Sequence, residues 1–480
     1  MWIVGLQMAV LPLTECVHGK CLPPPMKIAA TLAFLSSALV AAQQVGTFNP
    51  EVHPVLTTLK CSATGGCTPE VSKVVADANY RWVHNVGGST SCQNNGQWNS
   101  AICPDAATCA KNCAIEGYNY TSAGVVTTGG KLDVQLNNRF SSTKNSPLTS
   151  MSPTFLGGNA ALYFVPMAQD GGKVGNNNAG AAYGTGYCDA QCPGGINFIN
   201  GQANLANKGQ CCAEMDIWEA NKFANAFTPH PCTIDNIFTC SQECNSCDKG
   251  GCGVNPYGAN HQFYGPGSSY TVDTTKPFSV VTQFITDDNT ANGNLVQINR
   301  FYVQNGKNIA SEQQITNSFC NQNSVSVANG GLKAMGRALK TGMALAISVW
   351  TGDMAWLDSG ANGPCPSSPP TVTSASYSMT NIRVGDIGST TNAVVPPTPS
   401  TSPSTKAPTA APVTTQATSV PVTSRATSAP TSAPTTAKPS AGAVGAWGQC
   451  GGNNYAGPTA CISGYKCNAY SGWYSQCIPN

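Results

Sequence analysis

Three carboxylates crowd into the stretch "EMDIWE": Glu214, Asp216 and Glu219, in a 480-residue chain with only 22 acidic residues. Two carboxyl groups with opposite jobs are what cleavage of a glycosidic bond requires. One, kept protonated, donates to the leaving oxygen; the other attacks the sugar carbon or activates water. A third carboxylate beside the nucleophile orients it and restrains the shared charge. The competing reading is an exposed, solvated strand edge.

Positioning decides between the two. On a strand, Glu214 and Asp216 point to the same face, because side chains alternate with period two. Glu219 lies five residues from Glu214, so a regular strand turns it away. A bulge or bend before Glu219 brings it back, and the Cys211-Cys212 pair pins the strand's start.

The rest of the chain favours strands over helices. "KPFSVVTQFI", "LVQINRFYVQN", "GMALAISVW" and "TVTSASYSMTNIRVGDI" have strand character, with Gly, Asn and Pro clusters between them. This is the pattern of an antiparallel β-sandwich with long loops. "VANGGLKAMGRALKTG" reads as one short helix. Charged residues are 10% of the chain and net charge is +2. Neither nucleic acid nor a membrane surface is favoured as a partner. No phosphate loop, zinc-protease His pair or Gly-x-Ser-x-Gly elbow is present, and no cofactor is called for.

The chain has 23 cysteines, a number that fits a secreted, oxidised protein. Zinc is the competing use, through Cys244-x-x-Cys247 and Cys109-x-x-x-Cys113, but few histidines accompany them. "MKIAATLAFLSSALVAAQQ" from Met26 reads as a signal peptide (residues 26–42) cleaved after Ala42, with Gln43 the mature start. Residues 1–25 read as an upstream extension. Loss of Cys16 and Cys21 leaves an odd number of cysteines. The stretch 394–444 is nearly all Pro, Thr, Ser, Ala and Val, an extended O-glycosylated linker. It separates a large domain (43–393) from a small one (445–480). Asn119-Tyr120-Thr121 is an N-glycosylation sequon.

"CDAQCP", "CCAEMDIWEAN", "TPHPC", "GCGVNPYG", "FYGPGSS" and "WLDSG" together closely resemble glycoside hydrolase family 7, secreted cellulases found chiefly in fungi. The resemblance covers nearly all of the large domain. It implies a concanavalin-like β-sandwich (jelly roll) that cleaves β-1,4-glucan with retention, acting as a monomer without metal. Glu214 falls on the family's nucleophile, Glu219 on its acid/base, Asp216 on the supporting carboxylate and His230 on the histidine near the leaving group. Asn159, Tyr163, Asp189 and Gln191 match sugar-contacting positions; Tyr80, Trp82, Trp350 and Trp356 match aromatic platforms. The implied disulfides are Cys61–Cys67, Cys92–Cys113, Cys103–Cys109, Cys188–Cys212, Cys192–Cys211, Cys232–Cys247, Cys240–Cys244 and Cys252–Cys320.

Two departures shape the expectation. "CNSCDKGGCGVNPYG" has Gly and Lys where tunnel-type members carry Asp and Trp, and Asn362 stands where a product-binding Arg would sit. Short lids imply an open groove and an endoglucanase, with a cellobiohydrolase as the alternative. The second departure is a gap. After Ser150–Pro153 the family continues through a strand pair to a Pro-Cys-Gly, whereas here Thr154–Gly158 follows at once. Some three strands' worth of chain is missing. Leu156 stands in place of that cysteine, which leaves Cys365 alone. Either the gene model skips a coding segment, or the domain is poorly stable and the protein binds cellulose without cleaving it.

"WGQCGGNNYAGPTACISGYKCNAYSGWYSQC" resembles the family 1 cellulose-binding module. Disulfides Cys450–Cys467 and Cys461–Cys477 would staple a domain too small for a core. Trp447, Trp473 and Tyr474 match a flat aromatic strip for a cellulose face, with Gln476 beside it and Ser471 replacing a usual Asn.

Overall fold

The computed structural model describes residues 4–12, 43–64, 66–94, 96–137, 158–168, 170–172, 179–240, 244–367, 374–390, 443–444, 449–451, 458–471 and 474–479. It divides into two units, Met1–Thr390 and Thr391–Asn480.

The first unit is built from strands. In chain order those that frame the site are β1 (Val4–Pro12), β2 (Val55–Ser62), β3 (Gly66–Ala76), β4 (Val125–Thr128), β5 (Lys131–Asn137), β6 (Gly158–Val165), β7 (Glu214–Ala220) and β8 (Asn225–His230). After them come β9 (Ser279–Thr286), β10 (Leu295–Gln304), β11 (Ala344–Thr351), β12 (Ser374–Thr380) and β13 (Arg383–Gly385). Eight form one sheet in the order β8-β7-β6-β11-β1-β3-β2-β13, antiparallel except for the β13–β2 edge. A second sheet, β12-β5-β4, packs on it through Leu132 and Val134 against Leu56, Val74, Ile347 and Val349. The expected mainly-β sandwich is what forms, and alternate burial along β6 and β9 reflects the period-two pattern.

Under the other end of the main sheet, Met215 and Phe227 pack on Ile298 of β10 and on Leu332, Met335 and Ala338. The last three lie on the helix Gly331–Lys340, where the sequence pattern predicts one.

β1 occupies an unexpected place. Val4–Pro12, in the stretch read as an upstream extension, lies between β11 and β3, with seven Cα partners on β11 and five on β3. Among the described residues it is the only link between those two strands within the sheet's order. The signal-peptide core, most of the linker and Leu156 lie outside the described residues.

Seven of the eight expected bridges of the large domain are formed. The exception is Cys240–Cys244. Cys240 ends a strand paired with Gly209–Cys211, its Sγ 3.3 Å from Cys211 Sγ; Cys240 and Cys244 lie side by side but no disulfide joins them. Cys365 is a buried thiol, pushed up to about 12 by burial and by Asp358. In the second unit Cys450–Cys467 joins a three-stranded sheet, and Cys461 is disulfide-bonded. Trp447, Trp473 and the side chains of Tyr474, Gln476 and Cys477 lie outside the described residues.

Candidate active site

β7 carries all three carboxylates. It pairs with β6 and β8, and both ladders slip by one residue at the same place. Asp216 faces Tyr163 and Thr228, while Trp218 faces Leu162 and Glu219 faces Ala226. Ile217 is therefore the extra residue of a β-bulge, which restores Glu219 to the face of Glu214 and Asp216. Glu214 and Asp216 are buried and Glu219 is half-buried, so the charged-edge reading fails.

Each carboxylate has its own partner. Glu214 Oε2 accepts a hydrogen bond from the Ala190 N–H at 3.0 Å. Asp216 Oδ2 lies 2.8 Å from His230 Nε2, and His230 Nδ1 lies 2.8 Å from the Asp248 carbonyl. Both nitrogens of that ring meet acceptors, which calls for the doubly protonated imidazolium. Burial opposes the charge, but Asp216 outweighs it and lifts His230 to about 9. Glu219 Oε1 accepts from Asn159 Nδ2 at 2.9 Å. Gly251, at φ +66°, presses on Thr228 and His230; a Cβ there would lie 2.3 Å from Thr228 Cγ2. Only glycine lets the 248–253 loop come close enough to hold the histidine.

The electrostatics follow from burial. Glu219 is pushed up to about 8, first by desolvation and then by Asp216, while His230 and Asn159 pull it down. It stays protonated at neutral pH, as a general acid must. Burial, Asp216 and Asp189 also push Glu214 well above the carboxylate range, and the Ala190 N–H opposes them. Asp189 rises to about 6, mainly through burial. Burial and mutual repulsion keep Glu214, Glu219 and Asp189 from all ionising together in so dry a site. Asn159→Ala removes a donor that favours ionised Glu219, so the Glu219 value rises. Because activity needs the protonated form, the alkaline limb of kcat/KM moves upward, by roughly one pH unit. A pH profile on a soluble substrate measures this.

The remaining expected residues divide by exposure. Asp189 accepts from Tyr187 Oη at 2.8 Å and from the Gln191 N–H at 2.8 Å. Gln191 is exposed, and its amide donates to the Lys249 carbonyl. Tyr163 is 3% exposed and its hydroxyl meets Tyr187, so it supports the Asp189 region rather than offering a surface to sugar. Trp350 and Trp356 are stacked, with centroids 6.3 Å apart and planes at 20°. Trp82 is exposed and Tyr80 half-buried on a turn capped by Asp77. Tyr187, Asp248 and Arg300 carry no mark in the sequence reading. Tyr187 lies two residues before Asp189; the other two offer no local signal.

Cysteine clusters do not form a metal site among the described residues. Each group with suitable spacing includes disulfide-bonded cysteines, Cys192–Cys211 in one and Cys92–Cys113 in another.

A protonated acid and a second, buried carboxylate on one face of a strand in a layered β structure are the pair that hydrolysis of a glycosidic bond needs. The profile of Glycosyl hydrolase family 7 matches residues 45–152 and 149–391, and that of the fungal cellulose binding domain matches 446–474. The chain belongs to glycosyl hydrolase family 7 and carries a fungal-type cellulose-binding domain. It is similar to Endoglucanase EG-1 of Hypocrea jecorina, 43% identical over 496 residues, covering 95% of this chain and all of that one. A probable endo-beta-1,4-glucanase of Aspergillus clavatus is 43% identical over 409 residues, covering 75% and 97%. Among solved structures, the native Humicola insolens endocellulase EGI superposes with TM-score 0.64 at 35% identity, covering 73% of this chain and all of that one. A family 7 cellobiohydrolase from Daphnia pulex gives 0.65 at 34%, with the same coverage. The two pieces of the family match meet at 149–152, where the sequence places the missing segment.

Proposed function

We propose that this protein is a secreted, monomeric endo-β-1,4-glucanase that hydrolyses cellulose with retention of configuration. The observation that carries it is the bulged strand β7, which gathers buried Glu214, half-buried Glu219 and their orienting aspartate on one face. Glu214 attacks the anomeric carbon and Glu219 protonates the leaving oxygen. Glu219, now ionised, then takes a proton from water as the water oxygen bonds to the anomeric carbon and the bond to Glu214 breaks, which releases the product. The imidazolium of His230 holds Asp216, and Asp216 keeps Glu214 in line for attack. Asn159 orients the Glu219 carboxyl. The stacked pair Trp350 and Trp356, with Trp82 and Tyr80, offers faces on which sugar rings pack. The C-terminal module, through Trp447, Trp473, Tyr474 and Gln476, holds the enzyme on the polymer.

Endo action is supported by the pinned, short loop around Asn362. Asn255 Nδ2 donates to the Leu357 and Asn362 carbonyls at 2.8 and 2.9 Å, which ties the loop down. The relatives' names point the same way, whereas the Daphnia pulex structure keeps cellobiohydrolase as the second reading. Carboxymethylcellulose separates them. An endoglucanase collapses viscosity early while few reducing ends appear; slow viscosity loss at equal reducing-end release would defeat the endo assignment. Binding to cellulose with no hydrolysis at all would favour a non-catalytic binding protein.

A further inference from the structure

The bulge that aligns Glu219 needs something to hold it, and the molecule supplies a buried cation. Arg300 on β10 is 0% exposed, and its Nη2 donates to the carbonyl of Ile217, the extra residue of the bulge. The guanidinium carbon lies 4.3 Å from the centroid of Phe227 on β8 and 5.8 Å from that of Trp218 on β7. Nε and Nη1 have no hydrogen-bond partner in this buried site. A fully buried cation without a carboxylate is costly to retain for stability alone. Its directed contacts are Tyr302, which favours the charge, and the carbonyl of the bulge residue Ile217.

We propose that Arg300 is a positioning residue: it locks the Ile217 bulge so that Glu219 projects on the same face as Glu214 and Asp216. The chain of contacts is short. Arg300 fixes the Ile217 carbonyl, Trp218 follows against its guanidinium, and Glu219 comes next, paired to Ala226 and bonded to Asn159. Arg300 does not touch the reacting atoms. Its effect is on proton donation, because that is the job of the group beyond the bulge. This rests on Glu219 being the acid.

A leaving-group series tests it. Aryl β-cellobiosides with a poor leaving group require protonation, whereas dinitrophenolate departs without it. In Arg300→Met, kcat/KM for the poor leaving group falls on the order of 10²-fold, while that for the dinitrophenyl substrate falls less than about threefold. Arg300→Lys, which keeps one donor for the Ile217 carbonyl, recovers part of the loss. Glu219→Gln runs alongside and shows the same selectivity in stronger form. Equal falls for both substrates in the Met and Lys variants, or no fall in either, would overturn the proposal. Should Glu219→Gln itself lack the selectivity, the assignment of the acid fails instead. Should the Met variant not fold, the Lys variant carries the same comparison.

Discussion

Glu214→Gln lowers turnover of β-1,4-glucan by at least about 10⁴-fold and leaves binding to cellulose unchanged. The amide is a poor nucleophile, so the covalent step has no substitute within the cleft. Its oxygen still accepts from the Ala190 N–H, so the local geometry survives. Burial and the charges of Asp216 and Asp189 already press Glu214 toward its neutral form. A neutral amide therefore costs little stability, and the melting temperature stays equal or rises slightly. Reducing-end release on soluble glucan and a pull-down on cellulose measure the two halves. Residual turnover within tenfold of the parent would remove Glu214 from the nucleophile's role.

Parity along the strand makes the bulge legible in the amino-acid sequence: five positions separate Glu214 from Glu219, an odd number, and only an extra residue reconciles them. Ile217 is that residue. What holds it there is not legible. Arg300 sits in "LVQINRFYVQN", an ordinary alternating run, and its reach to Ile217 crosses 83 positions of chain. A lone arginine whose neighbours on the strand are buried is the available hint. Tyr163 shows the opposite limit. Motif position marks it as a sugar contact, but its hydroxyl turns inward to Tyr187, and only packing decides that. Cys240 and Cys244 are close in sequence and in space, yet they carry no bond to each other and their sulfurs cluster with the Cys192–Cys211 bridge. Such outcomes depend on which strand lies beside which, and a strand's own pattern does not name its neighbour.

β1 is the clearest case. Nothing in "VGLQMAVLP" announces a seat in the middle of the catalytic sheet, and the signal peptide that follows it argues that the segment leaves. Yet its pairing has a definite consequence. Without Val4–Pro12 the sheet parts into β8-β7-β6-β11 and β3-β2-β13. The first half holds the three carboxylates and His230. The second leads through Ala76 and Asp77 to Tyr80 and Trp82. Two inner strands, β11 and β3, become edges whose N–H and C=O groups lose their partners. With seven partner positions on one and five on the other, the loss is on the order of 5 kcal/mol, comparable to the whole stability of many domains. A chain that begins at Gln43 is expected to melt at least ~10 °C below the full chain and to aggregate through the exposed edges. Hydrogen exchange then shows loss of protection at Ala344–Thr351 and Gly66–Ala76, while β9 and β10 stay protected. Equal melting temperatures and unchanged exchange in those two strands would mean that the sheet closes without β1. The missing segment after Pro153 and the pairing of β1 then have to be explained separately. If the loss occurs as expected, both have one cause: a sheet that lacks a central strand takes the one that the chain's N-terminal segment supplies.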